Sequence, residues 1–102
     1  MSKALIIIDI QNDYFENGAM ELVGSLPASE NAKLVLSKFR NENLPIVHIQ
    51  HLAVAPGSVF FLPETKGQEI HENVKPLEGE QVIQKYYPNS FRETALLDYL
   101  KE

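Results

Sequence analysis

Ala4-Leu-Ile-Ile-Ile-Asp-Ile-Gln-Asn-Asp-Tyr-Phe15 is the stretch that decides the fold class. Its opening is a continuous β-branched run rather than an alternation of apolar and polar positions. That pattern belongs to a strand buried on both faces of a parallel sheet. Ala4 to Ile10 therefore reads as a central strand. Asp9 stands at its C-terminal end, and the polar Gln11-Asn12-Asp13 carries the chain out into a loop.

Outward from this strand the pattern changes period. From Ala28 the apolar positions Ala32, Val35, Leu36 and Phe39 recur at helical spacing, with Ser25 as N-cap and Pro27 in the first turn. This amphipathic helix ends near Asn43-Leu44-Pro45. Ile46-Val-His-Ile49 follows as a second short strand, so strand, helix and strand form a right-handed βαβ unit. Residues 52 to about 80 make a long stretch punctuated by Pro and Gly, too long for a passive connection and so a lid, a pocket wall or an interface. Gln81 to Lys85 resembles a third strand. Ser90-Phe-Arg-Glu93 has capping-box spacing and opens a helix with Leu96, Leu97 and Leu100 on one face. The fold class is α/β with a parallel sheet. The pattern looks unfinished, because the last helix leads to no further strand. The first strand has no charge, bulge or proline to protect a free edge, so a second polypeptide, further chain or another copy is expected to cover it.

The 102 residues have room for one globular domain, with 44% hydrophobic and 23% charged residues. The chain has no cysteine, which excludes disulfides, thiolate zinc sites and a cysteine nucleophile of its own. Nine basic against fourteen acidic residues give a formal charge of -5, with no basic cluster to follow phosphates. Neither nucleic acid nor a membrane surface is an expected partner. The longest apolar run is too short to span a bilayer and the N-terminus lacks the layout of a secretory signal, so a cytoplasmic location is expected.

In open α/β sheets ligands bind beyond the carboxyl ends of the strands, where Asp9, Gln50, His51 and Lys85 all emerge. A carboxylate ending a buried strand is costly to desolvate unless it is paired or used. A loop-forming or capping role for Asp9, and a solvated strand end for Lys85, are the plainer alternatives. Three known chemistries fit Asp9 poorly. A dehalogenase-type phosphatase wants a second Asp where Gln11 stands, a calcium loop wants glycine where Tyr14 stands, and a receiver phosphoacceptor needs more acidic residues beside the first strand.

The opening stretch resembles that of the isochorismatase-like cysteine hydrolases, whose first strand ends in Asp-x-Gln-x-Asp-Phe, with Tyr14 here in place of Phe. A second block resembles the same family's lysine strand and following helix. It comprises Gly79-Glu-x-Val-Ile-x-Lys85, Pro88-Asn-Ser-Phe91 and Thr94-x-Leu96. Pro63-Glu-Thr-Lys-Gly-Gln-Glu-Ile-His71 and Pro76 look like the connecting segment. The resemblance covers residues 1–102 as the N-terminal portion of a single three-layer domain.

That resemblance implies a hydrolase of small amide-like, carbamoyl or related substrates. Asp9 is then the general base, Lys85 the cation that tunes the site, and Cys, absent from this chain, the nucleophile. The chain alone is expected to be inactive. Tyr14 either lines the substrate pocket or packs on the neighbouring helix, Phe15 packs, and Gln50 and His51 line the pocket. Phe60 and Phe61 close the pocket or fill a subunit interface. Metal-binding relatives carry an Asp and two His after the second strand. This chain has His48-Ile-Gln-His-Leu52, with Gln50 in the carboxylate's place, so neither metal nor other cofactor is expected. His48 reads as a packed strand residue and His71 as a surface loop residue. Two other readings stand beside the hydrolase: a truncated, non-catalytic assembly or binding module whose first strand is covered by a second copy, and a Cys-independent hydrolase working from Asp9.

Overall fold

Three β-branched stretches pair in parallel in the computed structural model, which describes residues 3–101. They are β1 (Leu5–Ile8), β2 (Ile46–His51) and β3 (Gln81–Lys85), in the order β1-β2-β3. Leu5 pairs with Ile46 and His51 with Lys85, so all three carboxyl ends reach one edge of the sheet. Among the described strands β2 has two neighbours and β1 one, so β1 has the uncovered side that the unfinished pattern leads one to expect. Flanked on both sides, β2 buries Val47, His48 and Ile49 almost completely. β1 has β2 as its sole described neighbour, and Ile8 is 47% exposed.

Helices cover both faces. α1 (Ser25–Asn41) lays Leu36, Ala32 and Phe39 against Ile7, Ile46 and Val74 on one face. On the other, Val47, Ile49 and Ile83 meet Leu96 of α2 (Leu96–Leu100), giving three layers. α1 begins earlier than its apolar periodicity suggests. Gly24 precedes it in the left-handed region at φ +84, where glycine carries no Cβ penalty. Ser25 is inside the helix and its hydroxyl donates to the carbonyls of Tyr14 (2.6 Å) and Leu22 (3.0 Å) instead of capping. Val35 is half-exposed rather than core.

α2 starts later than the capping-box pattern predicts. The Ser90 hydroxyl accepts from Lys85 Nζ at 3.3 Å, and Glu93 has φ +54, a value no helix continues through. Thr94 bridges the gap, donating to the Ser90 carbonyl and accepting from the Leu96 N–H. Leu96 is buried, but Leu97 is half-exposed and does not join its face. Among the described residues no helix is long and apolar enough to cross a membrane.

At the amino end of the sheet, Glu80 ties the layers together. It accepts from Arg40 of α1 at 2.6 and 2.8 Å, contacts His48 Nε2 at 2.8 Å and accepts from the Leu77 N–H at 3.0 Å. His48 is fully buried, as expected of a packed strand residue. Burial pushes its imidazole down while Glu80 pulls it up. The Arg40 hydrogen bond, aided by those from Leu77 and His48, holds the Glu80 carboxyl down at about 2.

A carboxylate with a depressed native pKa adds stability above its unfolded value, and that stability is lost as pH falls through the native one. Stability should therefore decline between the ordinary value of 4.5 and about 2, and Glu80→Gln should remove this part of the decline. Urea midpoints measured from pH 7 to 2 for both proteins check this. Parallel curves would contradict it.

Candidate active site

The parallel register puts His51 and Lys85 side by side on one face of the sheet, and period-two alternation puts Gln50 and Gln84 on the other. Lys85 is 2% exposed, and a buried ammonium needs partners for its donors. Its Nζ donates to the Pro88 carbonyl at 3.0 Å and to Ser90 Oγ at 3.3 Å, and lies 3.4 Å from Asp9 Oδ2.

Asp9 reaches this ammonium because the chain leaves the strand conformation there. Its φ is +59, a region that Asp tolerates better than most residues, while its N–H still donates to the Ile49 carbonyl at 3.1 Å. One carboxylate oxygen faces Lys85. The other, Oδ1, is buried and has no hydrogen-bond partner among the described residues. A cavity of about 200 Å³ lies between the end of β1 and the start of α1, lined in part by Asp9, Tyr14, Phe15 and Ser29.

Two expected pocket residues flank the ion pair. The Tyr14 phenol is pushed up by burial and by the Asp9 charge, so it remains a protonated donor at neutral pH. The His51 imidazole is held below its ordinary value by burial, with Asp9 pulling it up and Lys85 pushing it down. At neutral pH it is uncharged. Both rings rest on Phe61, Tyr14 edge-on with centroids 4.7 Å apart and His51 at 5.8 Å. Phe60 lies 5.0 Å from Phe61.

Gln50 does not join this group. Its amide donates to Gln68 and its carbonyl accepts from Gln84 at 3.3 Å, on the far side of the strand. Phe15 lines the cavity and also stacks on His71 at 3.8 Å. His71 is half-buried rather than a free surface residue: the stacking covers its ring, and Nδ1 accepts from the Asn73 N–H at 3.1 Å.

The functional weight of Gln11, Asn12 and Asp13 escapes a reading based on charge and spacing. Gln11, fully buried, donates to the His51 and Gln68 carbonyls at 2.8 and 2.7 Å and accepts from the His51 N–H at 2.8 Å. Asn12 donates to the Lys66 carbonyl at 2.9 Å. Asp13 accepts from the Phe61 N–H at 2.6 Å. Three successive side chains thus fasten the long segment after β2. A run of amide and carboxylate side chains leaving a buried strand is the signal that marks them, since buried polar groups require partners.

The isochorismatase-domain family model matches residues 3–102. The chain belongs to the isochorismatase family. It is 51% identical over 102 residues to the isochorismatase family protein YddQ of Bacillus subtilis, covering all of this chain and 57% of that protein. The crystal structure of an isochorismatase hydrolase from Oleispira antarctica superposes with a TM-score of 0.91 at 41% identity, over 99% of this chain and 57% of that one. With N-carbamoylsarcosine amidase of Thermoplasma acidophilum the likeness is one of fold, with a TM-score of 0.87 at 24% identity over 99% and 61% of the two chains. The chain spans about half the length of the curated relatives it matches.

Removing the Gln11 side chain leaves the part-buried His51 N–H and carbonyl unpartnered, at roughly 1–3 kcal/mol for each unsatisfied group, while the Gln68 carbonyl keeps the Gln50 amide. Gln11→Ala should lower unfolding stability by about 3 kcal/mol in total on that scale. Urea denaturation checks it, and a loss below about 1 kcal/mol would show that these bonds do not hold the segment after β2.

Proposed function

We propose that this chain supplies the Asp and Lys of an isochorismatase-family active site that hydrolyses a small amide-like, carbamoyl or related substrate. A Cys from outside these 102 residues completes the site. The observation that carries this reading is Asp9 itself: one oxygen faces the buried Lys85 ammonium at 3.4 Å, the other is buried with no partner among the described residues, and the residue lines a cavity. That arrangement suits a base that must accept one proton from an incoming donor.

Asp9 Oδ1 takes the thiol proton, and the thiolate attacks the substrate carbonyl carbon. The tetrahedral intermediate collapses to a thioester, and the leaving amine departs with the proton held on Asp9. Water then attacks the thioester with Asp9 again as base, which restores the thiol and releases the acid. Lys85 keeps the carboxylate aligned and offsets negative charge as it develops. Tyr14 and His51, an uncharged donor and an uncharged imidazole, stand beside the acyl group. Gln50 serves the pocket indirectly, through its bonds to Gln68. The reading needs no metal or other cofactor and takes a cytoplasmic protein whose partners are the small substrate and a complementary polypeptide.

A second reading is favoured by the single described neighbour of β1 and the exposure of Ile8: a non-catalytic module whose first strand is covered by another copy. One experiment separates the two. The chain is combined with a polypeptide carrying the remainder of a family domain, and amide hydrolysis is assayed. The hydrolase reading expects activity that falls by about 100-fold or more in Asp9→Asn and in Lys85→Ala. Activity unchanged by both substitutions, or none in the combined sample, would overturn it in favour of the module.

A further inference from the structure

Asp13 lies four residues beyond Asp9, and the proton transfers above do not use it. Its side chain is buried, and both of its oxygens are engaged by backbone. Oδ1 accepts from the Ala19 N–H at 3.1 Å and Oδ2 from the Phe61 N–H at 2.6 Å. Gly67 closes the third side: a Cβ there would overlap the carboxylate. The two aspartates are therefore in opposite situations. Asp9 has an oxygen with no partner among the described residues, whereas both Asp13 oxygens are held by backbone N–H groups.

The Phe61 N–H belongs to a residue that needs holding. Phe61 is 1% exposed and has φ +55, the left-handed region that a bulky aromatic adopts only where its surroundings enforce it. A charge-assisted bond to a buried carboxylate is a strong means of enforcing it. The ring so fixed is the surface on which Tyr14 and His51 rest, while Ala53 donates to the Phe61 carbonyl at 2.8 Å and closes the segment on itself.

We infer that Asp13 is a positioning residue which, by holding Phe61 in its left-handed conformation, sets the Tyr14 and His51 rings beside the Asp9–Lys85 pair. The inference rests on the reading of Tyr14 and His51 as pocket residues. Its consequence is a division of labour within one short motif. Asp9 moves the proton, Gln11 grips the His51 backbone, and Asp13 fixes the ring behind the His51 and Tyr14 side chains. Gly67 belongs to the same device, because only a residue without a side chain lets the carboxylate sit where it does.

The test uses NMR on the 102-residue chain. In the wild type the Phe61 amide should exchange with solvent more slowly than the amides of Val59, Phe60 and Leu62. Asp13→Asn turns one acceptor into a donor, and Gly67→Ala displaces the carboxylate while leaving Asp13 in place. Each should raise the His51 titration midpoint toward that of free imidazole, as burial is relieved, and shift the Tyr14 ring resonances. The His48 midpoint, set at the other end of the sheet, should stay put. A Phe61 amide that exchanges as fast as its neighbours in the wild type overturns the inference, even if neither variant folds. So do unmoved His51 and Tyr14 signals in both variants, or a His48 midpoint that moves as far as that of His51, which would mark general loosening. None of these readouts depends on turnover, so failure of the hydrolase reading and failure of the Asp13 assignment register in different experiments.

Discussion

A primary ammonium removed from water must find acceptors for its protons and an opposite charge, or it loses its proton or stays out of the core. Lys85, 2% exposed at the end of β3, meets that demand with the Pro88 carbonyl, Ser90 Oγ and the Asp9 carboxylate. Much of the local structure follows. Asp9 adopts a left-handed backbone that takes its side chain toward β3. Ser90, engaged with the ammonium, does not cap a helix, so α2 begins only at Leu96. The ion pair and the shape of the chain on either side of it are one arrangement.

The same sheet edge carries a long connection that has to stay in place. A segment of nearly thirty residues would ordinarily be free to move, yet here consecutive side chains at the exit of β1 hold it at Phe61, Lys66 and Gln68. At the opposite edge Glu80 holds α1, β2 and the entry to β3 through Arg40 and His48. Polar networks thus fix both ends of the sheet, and the apolar core between them is divided into two small clusters. A chain of this size has little apolar burial to draw on, which makes satisfied polar contacts a larger share of what defines its conformation.

Much of this was legible in the residues. The β-branched runs located all three strands, and β3 was found with its bounds unchanged. Asp9 was recognisable as a carboxylate ending a run that has to be buried, whereas the mostly exposed β3 does not announce the burial of Lys85, which stood out only through the resemblance of its block to the family's lysine strand. The order of the strands was not legible, since the run Leu5–Ile8 is more apolar than Ile46–His51 and yet β2 is the strand with two described neighbours, which only the pairing reveals. The capping box at Ser90 was misleading because a local pattern yielded to a tertiary contact with Lys85. Gln11 and Asp13 read as loop polarity, because their partners are 40 or more residues distant in sequence and no short-range pattern reports them.

The burial of Lys85 against Asp9 is the point on which the account turns, and its amine reactivity tests it most directly. The native chain is treated briefly with an acylating reagent and the modified lysines are mapped by mass spectrometry, then the treatment is repeated in urea. The account predicts that Lys85 is the slowest of the lysines in the native protein, well behind the exposed Lys33, Lys38 and Lys66, and reaches parity with them once unfolded. Modification of Lys85 at the rate of those exposed residues in the native chain would contradict it.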